Sequence, residues 1–207
     1  MEEEELTVIT KNQIMKKLII VLSALFFIFS FLIVGFYFVY KNSVITNLSK
    51  IETNINNDWN RIYKLSEIRI LKIRNTNKLK DSLSYYLDTN IKSRANYQKK
   101  YDIKFAKLEH DVNEYIVKNR KEILKENEIV SSNDGLNLII ENYNFYVRQY
   151  NIYYSTFPNS LIAKRQGLKR KKYYDLTYGI SNMDPYKKEK YIPQWMLDDF
   201  KKNGLIK

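Results

Sequence analysis

The chain has 207 residues, with 35 Lys and Arg against 23 Asp and Glu, a formal charge of +12, one histidine and no cysteine. That length holds one membrane segment plus one domain of ordinary size. The absence of cysteine excludes disulfides, thiolate nucleophiles and Cys-based zinc sites, and His110 alone cannot form a His-rich metal site or a His relay.

Residues 1–17 read as a short polar tail. The glutamates at 2–5 against Lys11, Lys16 and Lys17 leave it at −1, so the remaining chain carries +13. Such a domain is drawn to phosphates, anionic lipid or acidic polymers. Abundant Lys, Asn, Ile and Tyr offer a plainer account of the charge as compositional drift.

Residues 18–40, "LIIVLSALFFIFSFLIVGFYFVY", carry no charge. Twenty-three residues at helical rise span roughly 35 Å, enough to cross a bilayer with some tilt. The run is too long for a signal-peptide core, and "FYFVYKNSV" has no small-residue cleavage site. It reads as an uncleaved transmembrane helix, with Tyr37 and Tyr40 in an interfacial belt. Lys11, Lys16 and Lys17 before it, against Lys41 and Lys50 after it, favour an inside amino terminus and an outside domain at the cell membrane.

Neither glycine nor proline occurs between Gly35 and Gly135, which argues for helices and against a turn-rich β fold. Beyond the span, Leu48, Ile51, Ile55, Trp59, Ile62 and Leu65 step by three or four. This is a helical seam that continues the membrane helix as a stalk, with Trp59 as a core anchor. A second seam runs Leu79, Leu83, Leu87 and Ile91, with Tyr86 beside it. A third runs Tyr101, Phe105, Leu108, Val112, Tyr115 and Ile123, with polar Asn119 on its stripe. His110 falls off that stripe and reads as a solvated surface residue. Glu109 and Asp111 fall in mixed-charge helical surface, with nothing to pair them across a cleft as acid–base chemistry requires.

"SSNDGLN", residues 131–137, reads as a loop in which Asn133 or Asp134 caps the next helix. That helix carries Ile139, Tyr143, Tyr146, Val147, Tyr150, Tyr153 and Phe157 in three-and-four steps until Pro158 stops it. Asn144 and Asn151 are seven apart beside the aromatic seam; with Arg148 and Ser155 they form a polar ridge. The fold class is therefore all-α: one transmembrane helix at 18–40, then an antiparallel, coiled-coil-like bundle of three to four long helices over 41–175.

After Pro158 comes a basic stretch, Lys164, Arg165, Lys169, Arg170, Lys171 and Lys172, followed by Tyr173 and Tyr174. Basic and aromatic residues together suit lipid headgroups or nucleic acid, and a solvated connector is the plainer alternative. Residues 176–207 form a tail in which "PQWMLDDFKKNGL" reads as a short amphipathic helix presenting Trp195, Met196 and Phe200. Nucleotide-loop, metalloprotease, hydrolase-elbow and calcium-loop motifs are absent from the sequence, and the chain reads as no enzyme and as needing no cofactor or metal.

"YNFYVRQYN", from Tyr143, Asn144, Val147, Arg148, Tyr150 and Asn151, resembles the Tyr-Asn-x-x-Val-Arg-x-Tyr-Asn of the LemA family. "FPNSLIAKRQGLKRKKYYD" is similar to that family's Phe-Pro-x-x-x-x-Ala-x-x-x-Gly at Phe157, Pro158, Ala163 and Gly167, with its basic and aromatic end. The early helix departs from the pattern: "IRILKIRNTNKL" lacks the family's Arg pair and its Leu-Ile-Pro-Asn-Leu. The resemblance implies an anchored helical protein of bacterial membranes, without an active site.

The expected function is a non-enzymatic scaffold or interaction module at the membrane surface. Alternatives are a sensory or ligand-binding bundle coupled to the span, and a basic domain binding anionic lipid or polymer. The candidate contact surface is Asn144, Arg148 and Asn151 with Lys164, Arg165, Lys169, Arg170, Lys171 and Lys172. Expected partners are the bilayer, other membrane proteins, a second copy, or anionic lipid or polymer; nucleic acid is not among them.

Overall fold

The computed structural model describes residues 2–75, 81–119 and 126–190. Among these the secondary structure is entirely helical. Helix α1 (Glu2–Arg74) is followed by α2 (Asp81–Arg94), a 3₁₀ turn (Ala95–Tyr97), α3 (Ile103–Lys118), α4 (Glu126–Ser155) and two short helices, α5 (Asn159–Arg165) and α6 (Pro185–Lys190). Between α5 and α6 the chain forms an irregular strap, residues 168–184.

Helix α1 is unbroken through 73 residues, as the lack of Gly and Pro over most of its length allows. It is the one helix among the described residues long and apolar enough to cross a membrane. Its surroundings change abruptly where the apolar run ends: Val39 is 70% exposed and Val44 is 0% exposed. From there Leu48, Ile55, Trp59 and Ile62 are buried, and Ile51 and Leu65 pack partly buried against them, as the seam requires.

Helix α4 lies along α1 in the opposite direction. Asn47 donates to the Tyr153 hydroxyl at 3.1 Å, and Arg69 donates to Asn133 at 2.9 Å. Val147, Tyr150 and Tyr143 face α1 in the main core. Trp59 sits at its centre, with ring centroids of Phe105, Tyr101, Tyr174 and Tyr143 at 5.0, 5.6, 5.9 and 6.1 Å. A second cluster at the far end of α1 joins Ile70 and Ile73 to Leu87, Val112 and Ile116.

Four expectations need correction. "SSNDGLN" is not a loop: α4 runs through it, because Leu136 is fully buried and Asn133 reaches buried Arg69, and those contacts override the turn preference of Ser, Asn, Asp and Gly. Asn133 is therefore not a cap. The buried face of α3 is rotated from the stripe expected: Phe105, Ala106, Glu109, His110, Val112, Asn113 and Ile116 are inside, while Leu108 and Tyr115 are half-buried. Phe157 is not in the core but 77% exposed, since α4 already ends at Ser155 and the chain turns before α5. Leu79, Ile123, Trp195, Met196 and Phe200 lie outside the described residues, as do the side chains of Leu83 and Tyr86.

Gly135 sits inside α4, and a Cβ there would meet nothing within 4 Å. Gly135→Ala should therefore stabilise the chain by about 0.5–1 kcal/mol, because it removes unfolded-state freedom from a helical position. Thermal unfolding followed by circular dichroism in detergent measures this. A lower melting temperature would contradict a helix through this segment.

Candidate functional site

The helix α4 places Leu136-Asn137, Tyr143-Asn144 and Tyr150-Asn151 at a spacing of seven. Leu136, Tyr143 and Tyr150 are buried. Each asparagine, one step round the helix, faces the strap. Seven residues of helix advance about 10.5 Å, between the lengths of three and four extended residues at about 3.3 Å each, and the strap residues met are three and then four apart. Successive asparagines can therefore meet successive points on an extended chain running the other way.

They do so with paired hydrogen bonds. Asn151 donates to the Lys171 carbonyl at 2.9 Å and accepts from the Lys171 N–H at 2.8 Å. Asn144 makes the same pair with Tyr174, at 2.7 and 2.9 Å, and Asn137 with Tyr178, at 3.2 and 2.8 Å. A primary amide carries the donor and acceptor of a peptide group on one rigid plane, so each asparagine stands in for a neighbouring strand. The strap behaves accordingly. Tyr174, Leu176 and Tyr178 are buried, and Tyr173, Asp175 and Thr177 are exposed, with the period of two of a β-strand.

Helix α3 holds the strap's far end. Asn113 accepts from the Gly179 N–H at 3.0 Å and donates to the Ile180 carbonyl at 2.7 Å. Gly179 has φ of 88°, and a Cβ there would lie 2.9 Å from the Asn133 amide nitrogen, so glycine is required twice over. Glu114 accepts from the Asn182 N–H and the Ser181 hydroxyl. His110, expected on the surface, is 7% exposed, with Nε2 at 3.1 Å from the Asn182 carbonyl and Nδ1 at 3.1 Å from Asp111. The turn of the strap covers it.

Beneath the strap lies a charged cluster that the sequence does not announce. Glu109, expected on a solvated surface, is fully buried; it is ion-paired with buried Arg94 and accepts from the Tyr178 hydroxyl at 2.7 Å. Arg94 also donates to Ser66 of α1 and lies over the rings of Phe105 and Tyr63 at 5.1 and 5.6 Å. Arg69 stacks on Tyr178 at 4.8 Å, and the Tyr174 and Tyr178 hydroxyls are 3.1 Å apart. Burial, and secondarily the Glu109 charge, push the hydroxyls of Tyr174 and Tyr178 well above the ordinary tyrosine range. Burial, the largest single influence, would lower the Arg94 pKa, but Glu109 together with Tyr178 and Tyr174 outweighs it and the guanidinium is held above its usual value. For Arg69 burial wins and the pKa falls.

The nine candidate contact residues are therefore divided. Asn144 and Asn151 turn inward onto the chain's own backbone. Arg148 is exposed on α4. Lys171 pairs with Glu52 of α1 and lies 5.1 Å from the Tyr150 ring centroid. Arg170 donates to Ser155 at 2.8 Å, and Arg165 approaches the Tyr37 hydroxyl at 3.5 Å. Lys164, Lys169 and Lys172 are exposed. Packing also continues past the expected domain end at residue 175, through Leu176, Tyr178 and the turn at Asn182. Two signals in the sequence pointed this way: the Leu136-Asn137 pair seven before Tyr143-Asn144, and the alternation Tyr174, Leu176, Tyr178.

Comparison with family models, curated proteins and solved structures yields no match to this chain.

Asn144→Ala leaves the N–H and carbonyl of Tyr174 without their partner, at about 1–3 kcal/mol for each buried group. Thermal unfolding should show a loss of that order, and amide exchange at Tyr174 should accelerate more than at Val147. Equal acceleration at both would mean that Asn144 does not hold the strap.

The tyrosines give a pH dependence. Their folded pKa values are raised, so their stabilising contribution is complete below pH 10 and is lost as pH rises beyond it. Above pH 10 the unfolded chain releases protons that the folded chain retains, so stability falls by up to about 1.4 kcal/mol per pH unit for each such tyrosine. Tyr178→Phe should lower stability at pH 8 yet flatten this alkaline slope. An unchanged slope would place that hydroxyl outside the buried cluster.

Proposed function

We propose that the chain is a LemA-like single-pass membrane protein whose helical domain is a non-enzymatic scaffold or interaction module. The observation that carries this reading is α1 itself. One uninterrupted helix passes from an apolar, exposed run into the seam of a buried core, with the change between Val39 and Val44. A run of that length and composition is stable in exposed form in hydrocarbon, whereas the helix beyond it carries the amphipathic pattern of a water-soluble partner.

The opposed directions of α1 and α4 support an antiparallel bundle, with α2, α3 and the strap completing it. The motif that carries the family resemblance supports an architectural role, since Asn144 and Asn151 fasten the strap. The buried charges support a structural role too: Arg94 and Tyr178 both bond Glu109 inside the domain, and all three side chains are buried. Arg148 and Lys169 remain outward for contact with other membrane proteins or a second copy. The lysine balance around the span favours a domain outside the cell membrane.

The cysteine-free sequence makes this testable. In intact cells, a membrane-impermeant maleimide should label Lys99→Cys directly and Thr10→Cys only after permeabilisation, and the chain should resist extraction by alkaline carbonate. The opposite labelling pattern would put the domain inside. Release by carbonate would remove the anchor on which the reading rests.

A further inference from the structure

Near the end of the apolar run, α5 meets α1. Asn159, at the start of α5, accepts from the Tyr40 hydroxyl at 2.6 Å, and Arg165, at its end, reaches the Tyr37 hydroxyl at 3.5 Å. Both ends of α5 are thereby held at the level where exposed apolar surface gives way to packed core. The inner side of α5 is in the core through Ile162 and Ala163.

The residues at this corner that do not face the core have a distinctive composition. Phe157 is 77% exposed and Leu161 is 54% exposed. Lys164 and Arg165 are exposed beside them. Large apolar groups next to cations, at the depth of a headgroup layer, match the pattern of an interfacial lipid contact: the apolar groups enter the acyl boundary while the cations meet phosphate.

Height separates these two cations from Lys171. Lys171 pairs with Glu52, twelve residues along α1 from Tyr40 and so roughly 18 Å higher. That is about twice the screening length of roughly 8 Å at physiological salt. Lys171 therefore contributes little to attraction at the base, whereas Lys164 and Arg165 lie within it.

We propose that the corner at residues 156–165 is a second, peripheral membrane contact. Phe157 and Leu161 enter the boundary of the bilayer that α1 spans, and Lys164 and Arg165 bind its anionic headgroups. This rests on the reading of α1 as a membrane span and adds to it a point that holds the domain against the bilayer surface.

The full chain, reconstituted into vesicles of phosphatidylcholine and phosphatidylglycerol, tests it. A single environment-sensitive fluorophore is placed by Phe29→Cys, Phe157→Cys or Phe145→Cys, with nitroxide lipids as shallow or deep quenchers. Phe145 is exposed on α4, ten residues and roughly 15 Å from the helix end at Ser155 next to this corner. The label at 29 should be quenched by the deep nitroxide. The label at 157 should be quenched by the shallow nitroxide several-fold more than the label at 145. Combining Lys164→Ala and Arg165→Ala should reduce quenching at 157 in phosphatidylglycerol vesicles while leaving that at 29 unchanged. Absence of quenching at 29 would overturn the span, and the corner contact with it. Quenching at 29 with 157 no different from 145 would overturn the corner contact alone. A label at 157 shielded from water but unquenched would assign the corner to a protein neighbour and equally overturn the proposal.

Discussion

The fold depends on a side-chain amide doing the work of a backbone. Within α4 the peptide groups are committed to the helix's own hydrogen bonds and cannot pair with an adjacent extended chain. Asn137, Asn144 and Asn151 supply what the backbone cannot, a donor and an acceptor side by side, at intervals matching the strap. Aspartate would offer acceptors only, and leucine of similar volume neither. A strap laid on a helix without such partners would bury unpaired N–H and carbonyl groups at a cost exceeding the gain from its tyrosines.

Once fastened, the strap closes everything beneath it. Tyr174 forms one wall of the Trp59 aromatic cluster, and Tyr178 gives Glu109 a hydroxyl donor. Glu109 in turn joins α3 to Arg94 of α2, which reaches Ser66 of α1. A buried carboxylate and guanidinium forfeit several kcal/mol of hydration each, so the pair is weak evidence for net stability. Its consequence is selectivity. Only the arrangement that brings α1, α2, α3 and the strap together pairs the two charges and gives each its hydroxyl contact, and a register shift of any one of them removes an ion-pair or a hydroxyl partner.

The parts legible in the sequence are those where one helix face decides. The seam from Leu48 to Ile62 gives α1 its buried side and Trp59 its central place, because a 3.6-residue period survives whatever packs against it. Pro158 likewise marks the end of α4 within a few residues. The rest was hidden where tertiary contacts overrule local preference. Ser131 to Gly135 have the composition of a turn, yet Leu136 and Asn133 have buried partners in α1 and the strap that hold them helical. Lys169 to Lys172 obscured the alternation that begins at Tyr174. Charge along a line cannot show that Glu109 and His110 point inward, since their partners, Arg94, Tyr178 and Asn182, lie 15, 69 and 72 residues away.

The unbroken α1 has a further mechanical consequence. A helix without Gly or Pro at the junction carries its phase from the apolar run into the core, so the face bearing Tyr37, Tyr40, Val44 and Leu48 fixes how the domain is rotated about the helix axis. It does not fix how far that axis leans from the bilayer normal, which in membrane helices is set by anchors and neighbours. Contacts at the base of the domain, off the axis, add to those anchors in setting that angle. Helix α5 is the element held there, tied to Tyr37 and Tyr40 and offset from α1 by about one interhelical spacing of 8–10 Å. Leaning toward α5 would press Phe157 and Leu161 into the headgroup region, and leaning away would withdraw them. Among the described residues, the same two tyrosines that end the apolar run therefore position an element placed to oppose tilt in a chain that spans a bilayer.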